Sequence, residues 1–214
     1  MKDTYRHKGL RKNLIEEIRS KGIDDEKVLE AMMKVPRHLF MDTSFIKYAY
    51  KDQAFPIGCG QTISQPYTVA FQTRLLDVRR HNKVLEVGTG SGYQTAVLIE
   101  LGAKVYTIER QRELYMKSQS FLTSVGYKAN FFYGDGYEGL PSYGPFDRIL
   151  ITAGATEIPE KLKSQLTVGG IMVIPLGDSN SQVMTRIVRI NEEGFEKTEH
   201  GRFVFVPLLK GKSM

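Results

Sequence analysis

A short apolar run leads directly into closely spaced glycines at residues 84–93, Val84-Leu85-Glu86-Val87-Gly88-Thr89-Gly90-Ser91-Gly92-Tyr93. Such glycines let the backbone turn tightly and let a ligand approach the start of the next helix without a Cβ in the way. A dinucleotide-binding loop has glycines at its first, third and sixth positions, whereas the fifth here is Gly92 and the sixth is Tyr93. The spacing therefore disfavours a nicotinamide cofactor. Because the acidic Glu86 would repel a phosphate, a cationic or uncharged nucleoside is the better expectation.

From residue 83 onward, short apolar runs alternate with stretches of helical period. The candidate strands are residues 83–87, 104–108, 129–133, 146–152 and 171–175, and the candidate helices are 92–101, 111–124 and 158–166. This alternation predicts an α/β fold with a doubly wound, mostly parallel sheet and helices on both faces. Residues 183–190 and 195–206 have a turn between them and no helix, so we expect a C-terminal antiparallel hairpin.

The first 82 residues show helical patterns and a long loop in place of these strands. One helix ends at Gly22, and a second runs from Asp24 or Asp25 to the residue before Pro36. Residues 41–65 have no sustained period and predict an irregular loop, and a third helix opens at Pro66. We expect an N-terminal helical extension in front of the α/β core.

Composition excludes several classes of protein. Hydrophobic residues at 41% and charged residues at 25% are typical of globular domains, and no apolar run approaches the roughly 20 residues of a membrane span. No secretory signal opens the chain, and Cys59, the single cysteine, predicts neither a disulfide nor a zinc or iron–sulfur site. These features predict a cytoplasmic protein without a metal, in which Cys59 is a small, semi-buried, non-catalytic thiol.

The net charge of +6 has two interpretations, attraction to nucleic acid or an ordinary solvated surface. The excess is N-terminal, since residues 1–82 hold 15 Lys+Arg against 10 Asp+Glu. Acidic residues interrupt the basic ones throughout this region, which favours the solvated surface.

Two further strand ends carry acidic residues, and ligands of such sheets bind at the carboxyl ends of the strands. Glu109 lies 21 residues after Gly88, close to the spacing of a ribose-binding acid, although an exposed charge at a helix start is an equal alternative. Asp135-Gly136 follows the third strand and is a candidate for contact with an adenine amine, or else a plain turn. Together the three loops predict one site of nucleoside size.

The run VLEVGTGSGYQTA at 84–96, with an acidic residue ending the second strand, resembles the Rossmann-like core of class I S-adenosylmethionine-dependent methyltransferases. More narrowly, the chain is similar to the protein-L-isoaspartate O-methyltransferases over most of its length, and QTISQP at 61–66 is the most specific match. The other matching segments are PRHLF at 36–40, GCGQTISQPYTVA at 58–70, GDGYEGLP at 134–141, FDRILITAGATEIP at 146–159, QLTVGGIMVIPLG at 165–177 and FVPL at 205–208.

The resemblance implies methyl transfer from S-adenosyl-L-methionine to the free α-carboxylate of L-isoaspartyl residues, which starts the repair or turnover of damaged proteins. The product would be S-adenosyl-L-homocysteine, and no metal is implied. The partners would be isoaspartyl proteins and peptides, with no nucleic acid and no membrane, and we expect a monomer. Residues 1–214 would form one methyltransferase domain, with 1–82 as N-terminal helices and substrate loop and 83–214 as the cofactor-binding core.

The family's active-site serine falls on Ser64, and three residues are implied to contact substrate, Thr62, Ile63 and Val206. The implied cofactor-binding residues are Glu86, Gly88, Thr89, Gly90, Gly92, Glu109, Asp135 and Gly136. Glu86 stands where aspartate is more frequent in the family, so the detail of that contact is not carried over.

This chemistry suits the residues present, because a carboxylate is already ionised at neutral pH and needs no general base. The reaction needs one carboxylate oxygen to lie in line with the methyl–sulfur bond of the cofactor. The Ser64 hydroxyl is able to donate a hydrogen bond that holds the carboxylate in that position. Taken alone, Ser64 before Pro66 is more readily interpreted as a helix cap, and the surrounding QTISQP match favours the active-site role instead. We expect recognition of the substrate backbone along residues 203–208, since damaged sites have varied neighbours.

The main alternative is a methyltransferase that acts on another substrate such as RNA. Methylation of base amino groups usually comes with an Asn/Asp-Pro-Pro-aromatic loop after the fourth strand, where this chain has Thr152-Ala153-Gly154-Ala155. Carbon-5 pyrimidine chemistry needs a cysteine nucleophile, and Cys59 is poorly placed for it. A module that binds the cofactor or a protein partner without turnover is the third hypothesis.

Overall fold

A seven-stranded sheet with helices on both faces organises the chain, of which the computed structural model describes residues 2–213. Two short strands and three helices precede the sheet. In chain order the elements are α1 (Tyr5–Ser20), α2 (Glu26–Lys34), two 3₁₀ helices (Arg37–Phe40 and Thr43–Tyr48), β1 (Phe55–Gly58), β2 (Gln61–Ile63), α3 (Pro66–Leu76), β3 (Lys83–Val87), α4 (Tyr93–Glu100), β4 (Lys104–Glu109), α5 (Arg112–Ser124), β5 (Asn130–Tyr133), a 3₁₀ helix (Pro141–Tyr143), β6 (Phe146–Ile151), α6 (Glu160–Lys163), β7 (Leu166–Gly177), β8 (Gln182–Arg189) and β9 (Phe195–Phe203).

The large sheet has the strand order β5-β4-β3-β6-β7-β8-β9. The first five of these strands pair in parallel, and β8 and β9 form an antiparallel hairpin against β7. The chain order reverses beside β3, because β4 lies on one side of it and β6 on the other. This confirms the predicted fold class and places the topological switch point, where such sheets bind ligands, at the loop after β3.

Two apolar layers cover the faces of the sheet. On one face, Leu85 and Ile149 pack with Leu162 of α6, and on the other Val84 packs with Leu76 of α3 and Leu98 of α4. The opposite side of α4 packs on the N-terminal helices through a third apolar cluster. The first 82 residues are thereby held against the helix that follows the glycine loop.

Asp25, rather than Asp24, begins the second helix, since its carboxylate accepts hydrogen bonds from the amides of Lys27 and Val28. Within residues 2–213, none of the helices has the length and apolar character that crossing a bilayer requires.

Several predicted boundaries were wrong. Residues 41–65 contain a 3₁₀ helix and the β1–β2 hairpin, because the rings of Phe45 and Tyr48 pack 5.6 and 6.1 Å from that of Phe55 and order the segment. The helix predicted over 158–166 is only the four residues of α6, since Leu166 already pairs with Phe146 in the sheet. The last strand ends at Phe203 instead of residue 206.

Candidate active site

A cleft opens at the carboxyl ends of β3, β4 and β6, at the switch point of the sheet. Its volume is about 800 Å³ with open solvent included. Its walls are the loops that follow these strands, the β2–α3 segment and the C-terminal segment 206–209. The sheet has therefore assembled three strand-end loops with a segment from the N-terminal third.

Gly88 is the turn that begins the glycine loop, and its φ of +99° is a conformation that side chains rarely adopt. A Cβ on Gly88 would lie 2.4 Å from Oγ1 of Thr152, whose hydroxyl lies within hydrogen-bond distance of the carbonyl oxygens of Val87 and Gly88. A Cβ on Gly92 would lie 2.6 Å from Cδ1 of Leu122 on α5. Gly88 thus keeps the loop against β6, whereas Gly92 lets it pack on α5.

Glu109 ends β4 and fixes the glycine loop from the other side. Its two carboxylate oxygens accept hydrogen bonds from the amides of Gly90 and Gln111, each at 2.9 Å. Each oxygen keeps a further lone pair, and Glu109 lines the cleft. The residue is therefore placed to accept from hydroxyl groups of a ligand such as a ribose.

Glu86 lies beneath the loop rather than in the cleft wall, and it is fully buried. Its Oε2 accepts hydrogen bonds from the hydroxyls of Thr95 at 2.5 Å and Thr107 at 2.7 Å, and the Thr107 hydroxyl lies 2.6 Å from that of Thr89. Burial raises the pKa of Glu86 to about 7, although both hydroxyl donors oppose that shift. Glu86 thus connects β3, α4 and β4 under the glycine loop.

Asp135 follows β5, and its carboxylate is occupied by the protein itself. One oxygen accepts from the amide of Tyr137 at 2.8 Å and the other from the amide of Gly211 at 2.6 Å. Its neighbour Gly136 does line the cleft, and a Cβ there would lie 2.5 Å from Cγ1 of Val87. Asp135 fastens the C-terminal segment, while Gly136 leaves room beside β3.

A second cleft, of about 1,390 Å³ with open solvent included, meets the first. Four residues line both clefts, Thr62, Ser64, Thr152 and Val206. Ser64 does not cap α3, because the residue at the cap position is Gln65 and its side chain makes no capping hydrogen bond. Ser64 therefore lies at the junction of the two clefts.

Asp52 anchors the segment that carries Ser64. Its carboxylate accepts from the amide of Tyr67 at 2.7 Å, from Nε2 of Gln65 at 3.0 Å and from Nζ of Lys21 at 2.7 Å. Only 3% of its side chain is exposed. These bonds tie the first turn of α3 to the N-terminal third of the chain.

The C-terminal segment closes the far wall of both clefts. The Val206 carbonyl accepts from the amide of Gly154 at 2.8 Å, and the Leu208 amide donates to the Gly154 carbonyl at 2.7 Å. The Phe205 amide donates to Oε1 of Gln182. Because these backbone groups have internal partners, residues 203–208 offer fewer free groups than a bare strand edge would.

Most of the predicted site residues share the first cleft. Nine line it, namely Thr62, Ile63, Ser64, Gly88, Thr89, Gly90, Glu109, Gly136 and Val206. Glu86, Gly92 and Asp135 lie behind its wall. Sequence reasoning missed other lining residues, among them Gln61, Ser91, Gln94, Thr152 and Leu208. Two of these had a usable signal, since Thr152 directly follows β6 and Ser91 lies within the glycine loop.

Cys59 is exposed, which corrects the expectation of a semi-buried thiol. It lies in the β1–β2 turn with a φ of +51°, and the hairpin holds it away from the core. Its Sγ lies 3.5 Å from a carboxylate oxygen of Glu113, and local desolvation together with that carboxylate raises the pKa of the thiol.

One group of residues within 2–213 has potential metal ligands close together, Asp3, His7 and His38. Both carboxylate oxygens of Asp3 already accept hydrogen bonds from Arg11, and the group lies in the N-terminal helices rather than in either cleft. This group therefore contributes no residue to either cleft.

A protein-family model matches nearly the whole chain. Residues 9–213 fit the model of the protein-L-isoaspartate(D-aspartate) O-methyltransferase family. Two proteins named protein-L-isoaspartate O-methyltransferase are similar over the full length of both chains, with 59% identity for that of Christiangramia forsetii and 58% for that of Flavobacterium psychrophilum.

Solved structures agree with this match. A protein-L-isoaspartate O-methyltransferase structure superposes with a TM-score of 0.83 at 26% identity, over 92% of this chain and 65% of that one. A Plasmodium falciparum structure described as the same enzyme in complex with S-adenosyl-L-homocysteine superposes with a TM-score of 0.82 at 28% identity, over 94% of this chain and 99% of that one. The chain belongs to the protein-L-isoaspartate(D-aspartate) O-methyltransferase family.

Proposed function

We propose that this protein transfers the methyl group of S-adenosyl-L-methionine to the free α-carboxylate of L-isoaspartyl residues in damaged proteins and peptides. The observation that carries the proposal is the position of Ser64 where the two clefts meet. One cleft has the features of a nucleoside site and the other is open enough for a peptide, so a methyl donor and a carboxylate would meet beside one hydroxyl. The relatives' shared name supports the substrate class.

The first cleft fits the cofactor on its own chemistry. A Cβ at Gly88 or Gly136 would collide with side chains of the cleft wall, and Glu109 supplies acceptors for ribose hydroxyls. We propose that Gly88, Thr89, Gly90, Glu109 and Gly136 hold the cofactor. Glu86, Gly92 and Asp135 would support these residues from behind. When bound, the cofactor supplies a methyl group activated by a sulfonium.

The protein's own task is to orient the accepting carboxylate. The Ser64 hydroxyl donates one hydrogen bond to it, and the nucleophile stays ionised without a base. Thr62, Ile63 and Val206 would position the peptide beside Ser64. Arg202 lines the second cleft and adds a positive charge where an acidic substrate enters.

The test of this function uses labelled S-adenosylmethionine and two peptides that differ only in isoaspartate against aspartate. We expect base-labile label on the isoaspartyl peptide alone, because a methyl ester on the α-carboxylate hydrolyses in base. Equal labelling of both peptides, or of neither, would contradict the proposal. Labelling of an added RNA instead would favour the alternative substrate class.

Ser64→Ala is expected to lower kcat/KM for the isoaspartyl peptide by about 10–100-fold, the effect of losing one hydrogen bond of about 1.5–3 kcal/mol to a charged group. Its affinity for S-adenosylhomocysteine should stay within about twofold of the wild type. Ser124→Ala is the matched control, because Ser124 is exposed on α5 and lies outside both clefts. A large loss of cofactor binding in Ser64→Ala would show a structural role instead.

We also propose a cytoplasmic monomer with isoaspartyl proteins as its partners and neither nucleic acid nor membranes. Residues 1–82 would contribute the substrate segment and residues 83–214 the cofactor core of one domain. The α4 contacts with the N-terminal helices support a single unit. Light scattering of the purified chain tests the monomer, and a dimer mass would overturn it.

A further inference from the structure

Glu86 is a carboxyl group that the described residues bury without a basic partner. The hydroxyls of Thr95 on α4 and Thr107 on β4 both donate to Oε2, while Oε1 has no hydrogen-bond partner among residues 2–213. On the remaining side, Leu150 of β6 is its neighbour across the sheet. Burying a carboxyl group with one oxygen unpaired costs free energy. A ligand that stabilises the ionised carboxylate would offset that cost.

The charged group that acts on Glu86 is another acid. It is Glu109, at the end of β4, and its negative charge opposes ionisation of Glu86. Arg110 also lines the cleft, and its Nε donates to the Gly211 carbonyl rather than to Glu86. Glu86 therefore has no cationic partner among residues 2–213, and a cation bound above the loop would supply one.

The proposed reaction presents this cleft with two ligands that differ in charge. The methyl donor carries a sulfonium, whereas its demethylated product is a neutral thioether. We propose that Glu86 discriminates between them by charge, being ionised beneath the glycine loop when the sulfonium compound is bound and protonated when the thioether product is bound. This inference rests on the proposed function for the identity of the cofactor, and it makes Glu86 a positioning and specificity residue that touches neither ligand.

A proton must then be exchanged with solvent. Because burial raises the pKa of Glu86 to about 7, the free protein holds the acid mostly protonated below that pH. Binding of the cation favours the carboxylate, so Glu86 releases a proton to the buffer, and binding of the product does not. Cofactor affinity should therefore rise relative to product affinity as the pH rises through about 7. If the cation lowers that pKa by one, the affinity ratio changes about tenfold.

The test is calorimetry on the full chain with three ligands. These are S-adenosylmethionine, sinefungin, which carries an amine in place of the sulfonium, and S-adenosylhomocysteine. Titrations in two buffers of different ionisation enthalpy count the protons released. They are run at about pH 6.5, where the ligands' own amino groups, with a pKa near 7.7–8.0 or above, stay protonated. We expect proton release with the two cationic ligands and none with the product.

Glu86→Gln keeps the size and the acceptor oxygen and removes the charge. We expect it to abolish the proton release and to make the ratio of cofactor to product affinity independent of pH between about 5.5 and 8.5, whereas Glu86→Asp restores part of both. Thr107→Val is the matched control, since it removes one donor and keeps the carboxyl group. It should weaken all three ligands alike and keep a proton release with the cationic ligands, shifted to higher pH because the lost donor raises the pKa of Glu86 further.

The outcomes separate this inference from the proposed function. If none of the three ligands binds, the proposed function fails. If all bind, and the wild type releases equal numbers of protons with the cofactor and the product, the role of Glu86 is overturned while the function stands. That wild-type comparison needs no variant, so it decides the matter even if Glu86→Gln does not fold. An unchanged pH dependence in a folded Glu86→Gln variant would overturn the inference as well.

Discussion

Gly88→Ala is expected to weaken cofactor binding by about a hundredfold or more, which corresponds to about 2.7 kcal/mol. Two costs add in the same direction. The φ of +99° is strained for any residue with a Cβ, at about 1–3 kcal/mol, and the new methyl group would lie 2.4 Å from Oγ1 of Thr152. Relief requires the Thr152 hydroxyl to give up its hydrogen bonds to the Val87 and Gly88 carbonyls or the loop to move away from β6, and either change alters the cleft wall. Calorimetric titration with S-adenosylhomocysteine measures the loss, and circular dichroism verifies the fold.

Gly126→Ala separates the cost of backbone strain from the cost of the steric contact with Thr152. Gly126 has a similar φ of +89°, but a Cβ there would have nothing within 4 Å, and the residue lies outside the clefts. We expect it to lose about 1–3 kcal/mol of unfolding free energy from backbone strain and to bind the cofactor as the wild type does. If Gly126→Ala weakened binding as much as Gly88→Ala, general destabilisation would explain both. Normal binding by Gly88→Ala would show that the loop does not form the site.

The cofactor half was readable from the sequence because its signals are local. Apolar strands, the helices between them and the glycines after β3 follow one another along the chain, and the rule that ligands bind at strand ends then unites loops that are distant in sequence. That rule brought Gly88, Glu109 and Gly136 to one cleft. The same rule points to Thr152, which follows β6 and lines the same cleft.

The orientation of the acidic side chains behind the cleft wall could not be predicted from local patterns. Strand periodicity puts Glu86 on a face of the sheet, but whether its carboxyl group reaches the ligand or stays beneath the loop depends on Thr95 and Thr107, which come from two other elements. Asp135 is similar, since its second oxygen is taken by Gly211, 76 residues away. Such partners are set by tertiary packing, and no local pattern marks them.

In the N-terminal third of the chain, segment 41–65 shows the same limit of local patterns. It has no periodicity, so it predicts a loop, yet aromatic packing orders a 3₁₀ helix and a hairpin within it. The hairpin turn also carries Cys59 into solvent. The most consequential residue there, Asp52, is an ordinary acid in the sequence and acquires its role only because Tyr67, Gln65 and Lys21 converge on it.

Asp52→Ala is expected to lower both the free energy of unfolding and the turnover rate. The variant loses the acceptor for the Tyr67 amide at the start of α3, leaves Gln65 without its partner and breaks the bond to Lys21. For a carboxylate with 3% of its side chain exposed, we expect a loss of about 2–4 kcal/mol of unfolding free energy, measured by urea titration. Asp52→Asn keeps an acceptor for the amide and should lose less.

The same variant should reveal Asp52 as a positioning residue for Ser64, which lies next to Gln65 and at the junction of the clefts. A freed loop misplaces the hydroxyl, and a displacement of about 1 Å is enough to lower the rate up to a hundredfold. We therefore expect kcat for the isoaspartyl peptide to fall by about tenfold or more in folded Asp52→Ala, with cofactor affinity nearly unchanged. Lys21→Met removes only the partly exposed cation and should cost less than about 1 kcal/mol and leave kcat intact. Equal losses of cofactor binding and kcat in Asp52→Ala would mean that the carboxylate stabilises the whole domain rather than the segment that carries Ser64.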